Sequence, residues 1–317
     1  MSVTERVIHE QFPFWKKALT LELPKLDGRT IVFVGCGTSY YLAQTLAAAF
    51  NLNGRSALAV AGAEWILHRG AYVGDRTDLT VVGLSRSGES TETVRALRES
   101  AAAGMDTLAI TCAEDSAVTK AAAKSVFIET HAEEGVVMTS SASLMLLAGL
   151  RMAGVELDES VISDARAALQ AIEANGRRLV DGRSHFVYLG AAALFGIAAE
   201  GALKLQEMSL SYSQFFHPLE YRHGPISLVD DHTLVVLLYT PATREEEERV
   251  ARDVADKGAA VIGFGGAGDL SIPVGGEGLA RALVMLPALQ LFGEQVAATK
   301  NIDTTAPRHL TKVVTLA

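Results

Sequence analysis

Four hydroxyl-bearing residues fall within positions 85 to 91 of the stretch "VVGLSRSGESTETVRAL", which runs from Val81 to Leu97. They are Ser85, Ser87, Ser90 and Thr91, and Arg86 and Gly88 lie among them. An apolar run stops at Ser85, and a helical pattern begins after Ser90. The first turn of a helix presents unpaired N–H groups and the positive end of its dipole, so an anion can bind there without a lysine. The serines add hydroxyl donors, and Gly88 allows close backbone approach. A second small polar turn, "GCGTSYY", offers Cys36, Gly37, Thr38 and Ser39. One such turn is explained equally well by helix capping. Two of them after successive strand-like runs favour an anion site, which a phosphoserine-type or sugar-phosphate anion fits better than a nucleotide.

A second constellation lies in "ALKLQEMSLSYSQFFHPLEYRHGPISLVDD". Glu207 closes an apolar helical pattern between Leu205 and Met208, whose shielding would raise a carboxylate's pKa towards the range of a general base. His223 precedes Gly224-Pro225 on a rigid turn and suits proton transfer near neutral pH. Glu220 is the alternative carboxylate. The polar tail "KNIDTTAPRHLTKVVTLA" carries Lys312 at the start of a β-like run, "KVVTL". Docked in a cleft, that amine can bind an anion or form an imine with an open-chain sugar. Taken singly, each has a plain reading: a solvent-facing helical glutamate, a satisfied histidine, a frayed terminus.

Other chemistries lack their signatures. "GCGTSY" has Tyr40 where a dinucleotide fingerprint needs its third glycine, and no GxxxxGK[ST] or HExxH motif occurs. No cofactor and no metal is expected. The chain has 317 residues, with 28 basic against 37 acidic and a net charge of -9, and no basic stripe, which argues against nucleic acid. Its apolar stretches are broken by charge, glycine or proline, so no membrane span is expected. Two cysteines, Cys36 and Cys112, fit buried thiols in a reducing, cytoplasmic setting.

The elements that must position these residues repeat. "RTIVFVGCGTSYYLAQTLAAAF" and "DLTVVGLSRSGESTETVRALRES" each read as strand, polar turn and helix, and "DTLAITCAEDSAVTKAA" adds a third strand. Alternating strands and helices predict an α/β fold with a parallel sheet covered on both faces. "SHFVYLGAAALFGIAAEGALKLQE" and "HTLVVLLYTPATREEEERVARDVADKGAAVIGFGG" repeat the plan more weakly. The expected domains are 1–165, holding the anion, and 166–317, with the catalytic segment and the tail. In the second half the counterpart of "SRSGES" is "YTPATREEE", whose glutamates would repel a phosphate.

With "VGCGTSYYLA", "SRSGES", "EEGVVMTSSAS", "EGALKLQE", "EYRHGP" and "DTTAPRHLTKVVT" in this order, nearly the whole chain resembles the SIS (sugar isomerase) family. The likeness is to the isomerase half of glucosamine-6-phosphate synthase, the AgaS-like ketose/aldose isomerases and the fructosamine-6-phosphate deglycases. It implies two tandem SIS domains, each a five-stranded parallel sheet flanked by helices, in a homodimer with composite active sites. The substrate implied is a hexose or aminohexose 6-phosphate. Ser39, Ser85, Ser87 and Ser90 would hold the phosphate, with Arg86 and the Cys36-Gly37-Thr38 backbone beside them and Glu133 lining the sugar site. Glu207 falls on the family's base, His223 on its ring-opening histidine, donated by the neighbouring subunit, and Lys312 on its C-terminal lysine. The synthase's glutaminase portion has no counterpart here, and its "SQSGET" and "VASTKAF" read "SRSGES" and "VMTSSAS". Both changes point to the stand-alone isomerase, deaminase and deglycase branches without choosing among them. A purely ligand-sensing protein is disfavoured because Glu207, His223 and Lys312 are all kept.

Overall fold

The computed structural model describes residues 1–26 and 30–314. Strands β1 (Thr30–Gly35), β2 (Ala57–Ala61), β3 (Leu79–Ser85), β4 (Asp106–Thr111) and β5 (Lys124–Phe127) form one sheet in the order β2-β1-β3-β4-β5. Every pairing in it is parallel, with Val32 opposite Val81 and Val82 opposite Leu108. Strands β6 (His185–Gly190), β7 (Tyr212–Phe216), β8 (Thr233–Leu238), β9 (Ala260–Phe264) and β10 (Leu270–Ile272) form the other. Its order is β10-β9-β8-β6-β7, again all parallel. Counted from each sheet's own first strand, both orders are 2-1-3-4-5, so the repeat read in the sequence is a repeat of topology.

Central strands carry apolar runs because helices cover both faces of each sheet. All residues of β1, β3 and β8 are buried. The edge strands β5 and β7 are half-covered and mixed in composition, so their sequences carry little strand signal. The segment between Glu207 and Glu220 contains one of them, β7.

The chain divides into two compact units. One holds β1–β5 and comprises His9–Asp158 with the tail from Arg308; the other holds β6–β10 and comprises Met1–Ile8 with Glu159–Pro307. The break therefore falls at 158/159 rather than at the expected 165/166, and the terminal segments change sides. Side-chain contacts show why. Ser2 Oγ donates to Glu294 at 2.5 Å within the β6–β10 unit, and Lys312 Nζ donates to the Glu134 carbonyl at 2.9 Å within the β1–β5 unit. The helix Ser160–Asn175 belongs to the β6–β10 unit.

Among the described residues one helix, Ala280–Thr299, has the length and apolar composition that could cross a membrane. Its apolar window is 83% buried, and it is the core helix of its unit.

Candidate active site

In the β1–β5 unit both polar turns lie where parallel strands end and helices begin. Strands β1 and β3 are neighbours, but β1 also pairs with β2 on its other side. The order reverses between them, and crevices outside the strand ends open at such a switch point. After β1, Gly37 has φ +55° and the helix Thr38–Leu52 follows. A Cβ on Gly35 would lie 2.7 Å from the Ser39 carbonyl carbon, so strand and helix can meet this closely only at a glycine. Thr38 and Ser39 are buried in that junction. Burial pushes the Cys36 thiol pKa up, and nearby Glu92 adds to the effect.

After β3, Ser85 is buried, and its Oγ accepts a hydrogen bond from the Gly88 N–H at 3.1 Å. Ser87 Oγ accepts from the Glu89 N–H at 3.2 Å. Ser90 occupies the N-cap of the helix Thr91–Ala102 yet makes no side-chain capping bond. Its Oγ lies 3.5 Å from Ser85 Oγ instead. Capping therefore does not account for the Ser90 hydroxyl, which weighs the hydroxyl cluster towards a ligand. The turn is shaped by Gly88, whose φ of +70° puts it in the left-handed region.

The β6–β10 unit treats the corresponding place differently. After β8, Glu247 turns back from the first turn of the helix Arg244–Ala255. Its carboxylate accepts from the Thr240 N–H at 2.7 Å and from Thr243 Oγ1 at 2.9 Å, and the residue is 1% exposed. A carboxylate of the chain occupies the helix start that corresponds to the serine turn. The glutamate-rich turn thus excludes an anion by occupation as well as by charge.

Arg86 is placed otherwise than the sequence reading expects. Its side chain is 7% exposed and turned to backbone carbonyls rather than to the serine turn. Nη1 donates to Gly135 O at 3.0 Å, and Nη2 donates to Val136 O at 2.9 Å and to Lys312 O at 3.2 Å. Glu133 is exposed. Its neighbour Glu134, which sequence reasoning passed over, is the buried one. Oε1 of Glu134 accepts from the N–H groups of Thr139 and Ser141, at 2.6 and 3.0 Å, at the start of the helix Ser140–Met152. Two adjacent identical letters carry no signal to tell them apart. Lys312 is exposed, in a bend rather than a β-like run, with Nζ on the Glu134 carbonyl. The end of "KVVTL" lies outside the described residues.

In the β6–β10 unit, Glu207 sits near the end of the helix Ala193–Ser209. Leu205 and Met208 point into the core, so they do not shield its carboxylate. The neighbour that matters is Lys204, fully buried one turn earlier. Its ammonium lies 3.5 Å from Glu200 and donates to Glu207. Spacings of four and three residues place all three on one helix face. The sequence reading missed Lys204, although "EGALKLQE" contains that spacing. Glu207 keeps 21% of its side chain exposed, a carboxylate at the surface over a buried cation.

The helix ends at Leu210 in the left-handed region, φ +49°. Lys300 ties this end down through Ser209 O and Ser211 Oγ, at 3.2 and 2.7 Å, and burial lowers its pKa. Glu220 and His223 lie beyond β7, in and just after the short turn Glu220–Arg222, and both are exposed. Between them Tyr221 is buried, its hydroxyl pushed up to about 12 by burial, and anchors the turn. Gly224 follows at φ +132°.

With this arrangement in view, comparison with known proteins defines the class. The chain belongs to the SIS domain family, whose model matches residues 26–153 and 179–272. Over 310 residues it is 32% identical to the glutamine–fructose-6-phosphate aminotransferase (isomerizing) of Halobacterium salinarum, an alignment covering 89% of this chain and 51% of that protein. The chain spans about half the length of the curated relatives it matches. The crystal structure of glucosamine-6-phosphate deaminase from Thermotoga maritima is similar over 99% of this chain and 100% of that one, with a TM-score of 0.85 and 29% identity. That of tagatose-6-phosphate ketose/aldose isomerase from Escherichia coli covers 96% and 95%, with a TM-score of 0.80 and 26% identity.

Proposed function

We propose that this chain is a phosphosugar isomerase that interconverts aldose and ketose forms of a hexose or aminohexose 6-phosphate. The observation that carries the reading is the serine turn after β3, at the switch point of its sheet, with its N-cap hydroxyl not spent on capping. The phosphate binds there and at the Cys36–Ser39 turn, which supplies positioning and remote binding energy. His223 assists ring opening. Glu207 takes a proton from one of the two carbons C1 and C2 and returns it to the other through an enediol or enolamine. Lys204 holds the Glu207 carboxylate and balances its charge. The similarity to the tagatose-6-phosphate isomerase supports the reaction class. The exposed turn bearing Glu220 and His223, next to exposed Leu219 and Leu228, suits donation to a second copy in a homodimer.

A second reading, release of an amine from an aminosugar phosphate, is favoured by the full-length similarity to the glucosamine-6-phosphate deaminase and by the amine of Lys312. One panel separates the two. Purified protein is incubated with fructose, tagatose, glucosamine and fructosamine 6-phosphates, and products and free amine are followed by NMR. Interconversion of plain sugar phosphates supports the isomerase. Amine release without it supports the second reading. Binding without turnover defeats both.

A further inference from the structure

We infer that Arg86 is a positioning residue that ties the tail bearing Lys312 to the serine turn. The role rests on the functional reading above, but the contact itself lies wholly within the β1–β5 unit. The Arg86 backbone is fixed on the sheet side: its carbonyl accepts from the Cys112 N–H at 3.2 Å, at the end of β4. From that fixed point, between Ser85 and Ser87, the guanidinium reaches two other segments. Gly135 O and Val136 O belong to the loop between β5 and the helix Ser140–Met152, and Lys312 O belongs to the tail. Lys312 returns the contact, since its Nζ donates to Glu134 O in the same loop. Main chain and side chain of residue 312 are thus both held, one by Arg86 and one by the loop that Arg86 also holds.

The chemistry of the group suits the task. A planar guanidinium offers a rigid fork of donors that can serve several carbonyls at once, whereas an ammonium acts as a point charge. Glu134 Oε2, 3.9 Å from Nη1, meets the charge as an ion pair, and among the described residues no hydrogen-bond donor reaches that oxygen. A merely structural arginine would link the turn to the loop. The bond to Lys312 O gives this one a hold on the residue whose amine can bind an anion or form an imine with an open-chain sugar. A turn rearranged by phosphate binding would then act directly on the tail.

The test uses Arg86→Lys, which keeps a cation beside Glu134 without the fork, and Arg86→Gln, which keeps donors without the charge. Hydrogen–deuterium exchange over residues 308–314 of the ligand-free protein reads the tie directly. We expect at least tenfold faster exchange there in both variants, with exchange in β1, β3 and β4 unchanged. Steady-state kinetics on whichever phosphosugar the wild type turns over should show kcat falling about tenfold with KM nearly constant. Unchanged tail exchange in the folded variants overturns the inference, whatever the kinetics show. Faster tail exchange with kcat unchanged overturns the positioning role. If the wild type turns over no phosphosugar, the functional reading fails and the positioning role falls with it, while the exchange contrast still decides whether Arg86 holds the tail.

Discussion

Lys204 is fully buried, and its ammonium donates to Glu207, which lies one turn further along the same helix and reaches the surface. Glu200 meets the ammonium from the other side at 3.5 Å and is itself fully buried. A cation placed in a core without carboxylate partners would be prohibitively costly, so Lys204 depends on these two glutamates.

Lys204→Met should therefore destabilise the fold by about 3–5 kcal/mol, the range seen when one partner of a buried ion pair is removed. Urea denaturation followed by circular dichroism measures it. A midpoint equal to that of the wild type would mean that Glu200 finds another partner.

Glu207→Gln should leave the fold intact, because the amide still accepts a hydrogen bond from Lys204. Exchange of the sugar C1 or C2 proton with solvent deuterium should cease, while ligand binding persists. Proton NMR in deuterium oxide follows the exchange. Continued exchange would move the base to another residue, with Glu220 the first to examine.

Replacing Ser85 and Ser87 together by alanine should weaken phosphosugar binding at least tenfold, about 1.4 kcal/mol. Calorimetric titration with fructose 6-phosphate reads the change. Undiminished affinity in the folded double variant would place the phosphate elsewhere.

Gly88→Ala combines two penalties. The φ of +70° disfavours any side chain, and the new Cβ would lie 2.2 Å from Ser116 Oγ. Gly104→Ala is the control, with φ +81° and nothing within 4 Å of a Cβ. Backbone strain alone should cost Gly104→Ala about 1–2 kcal/mol. Gly88→Ala should cost more and also impair phosphosugar binding. Thermal melts and titrations on both variants check it; equal losses in the two would remove the steric argument.

Cys36 should alkylate slowly. Its pKa is raised by burial and by Glu92, so less thiolate is present at a given pH than in a free cysteine, and the thiolate is the reacting species. The rate with iodoacetamide should keep rising with pH beyond the point where a free thiol has levelled off. A plateau at or below the free-thiol value would contradict the shift.

Much of this was legible in the letters because it is local. Strand, turn and helix follow from runs such as "TIVFVG" and "VVGLS", whose apolar residues can only be buried on both faces of a sheet. The serine turn was legible for the same reason: its hydroxyls, its glycine and the helix after it are contiguous. Edge strands such as β7 were not, since half-covered strands need no apolar run. The side chain of Arg86 could not be placed from sequence either. A long cation beside serines suggests a phosphate ligand, but its direction is set by carbonyls 49, 50 and 226 residues away. Likewise, Glu133 and Glu134 are equivalent as letters, and only packing buries the second. Lys204 read as one lysine in an apolar helix until the structure closed two carboxylates over it. Local periodicity determined the elements and their order; long-range hydrogen bonding and burial decided which charged groups hold the scaffold and which remain open to a ligand.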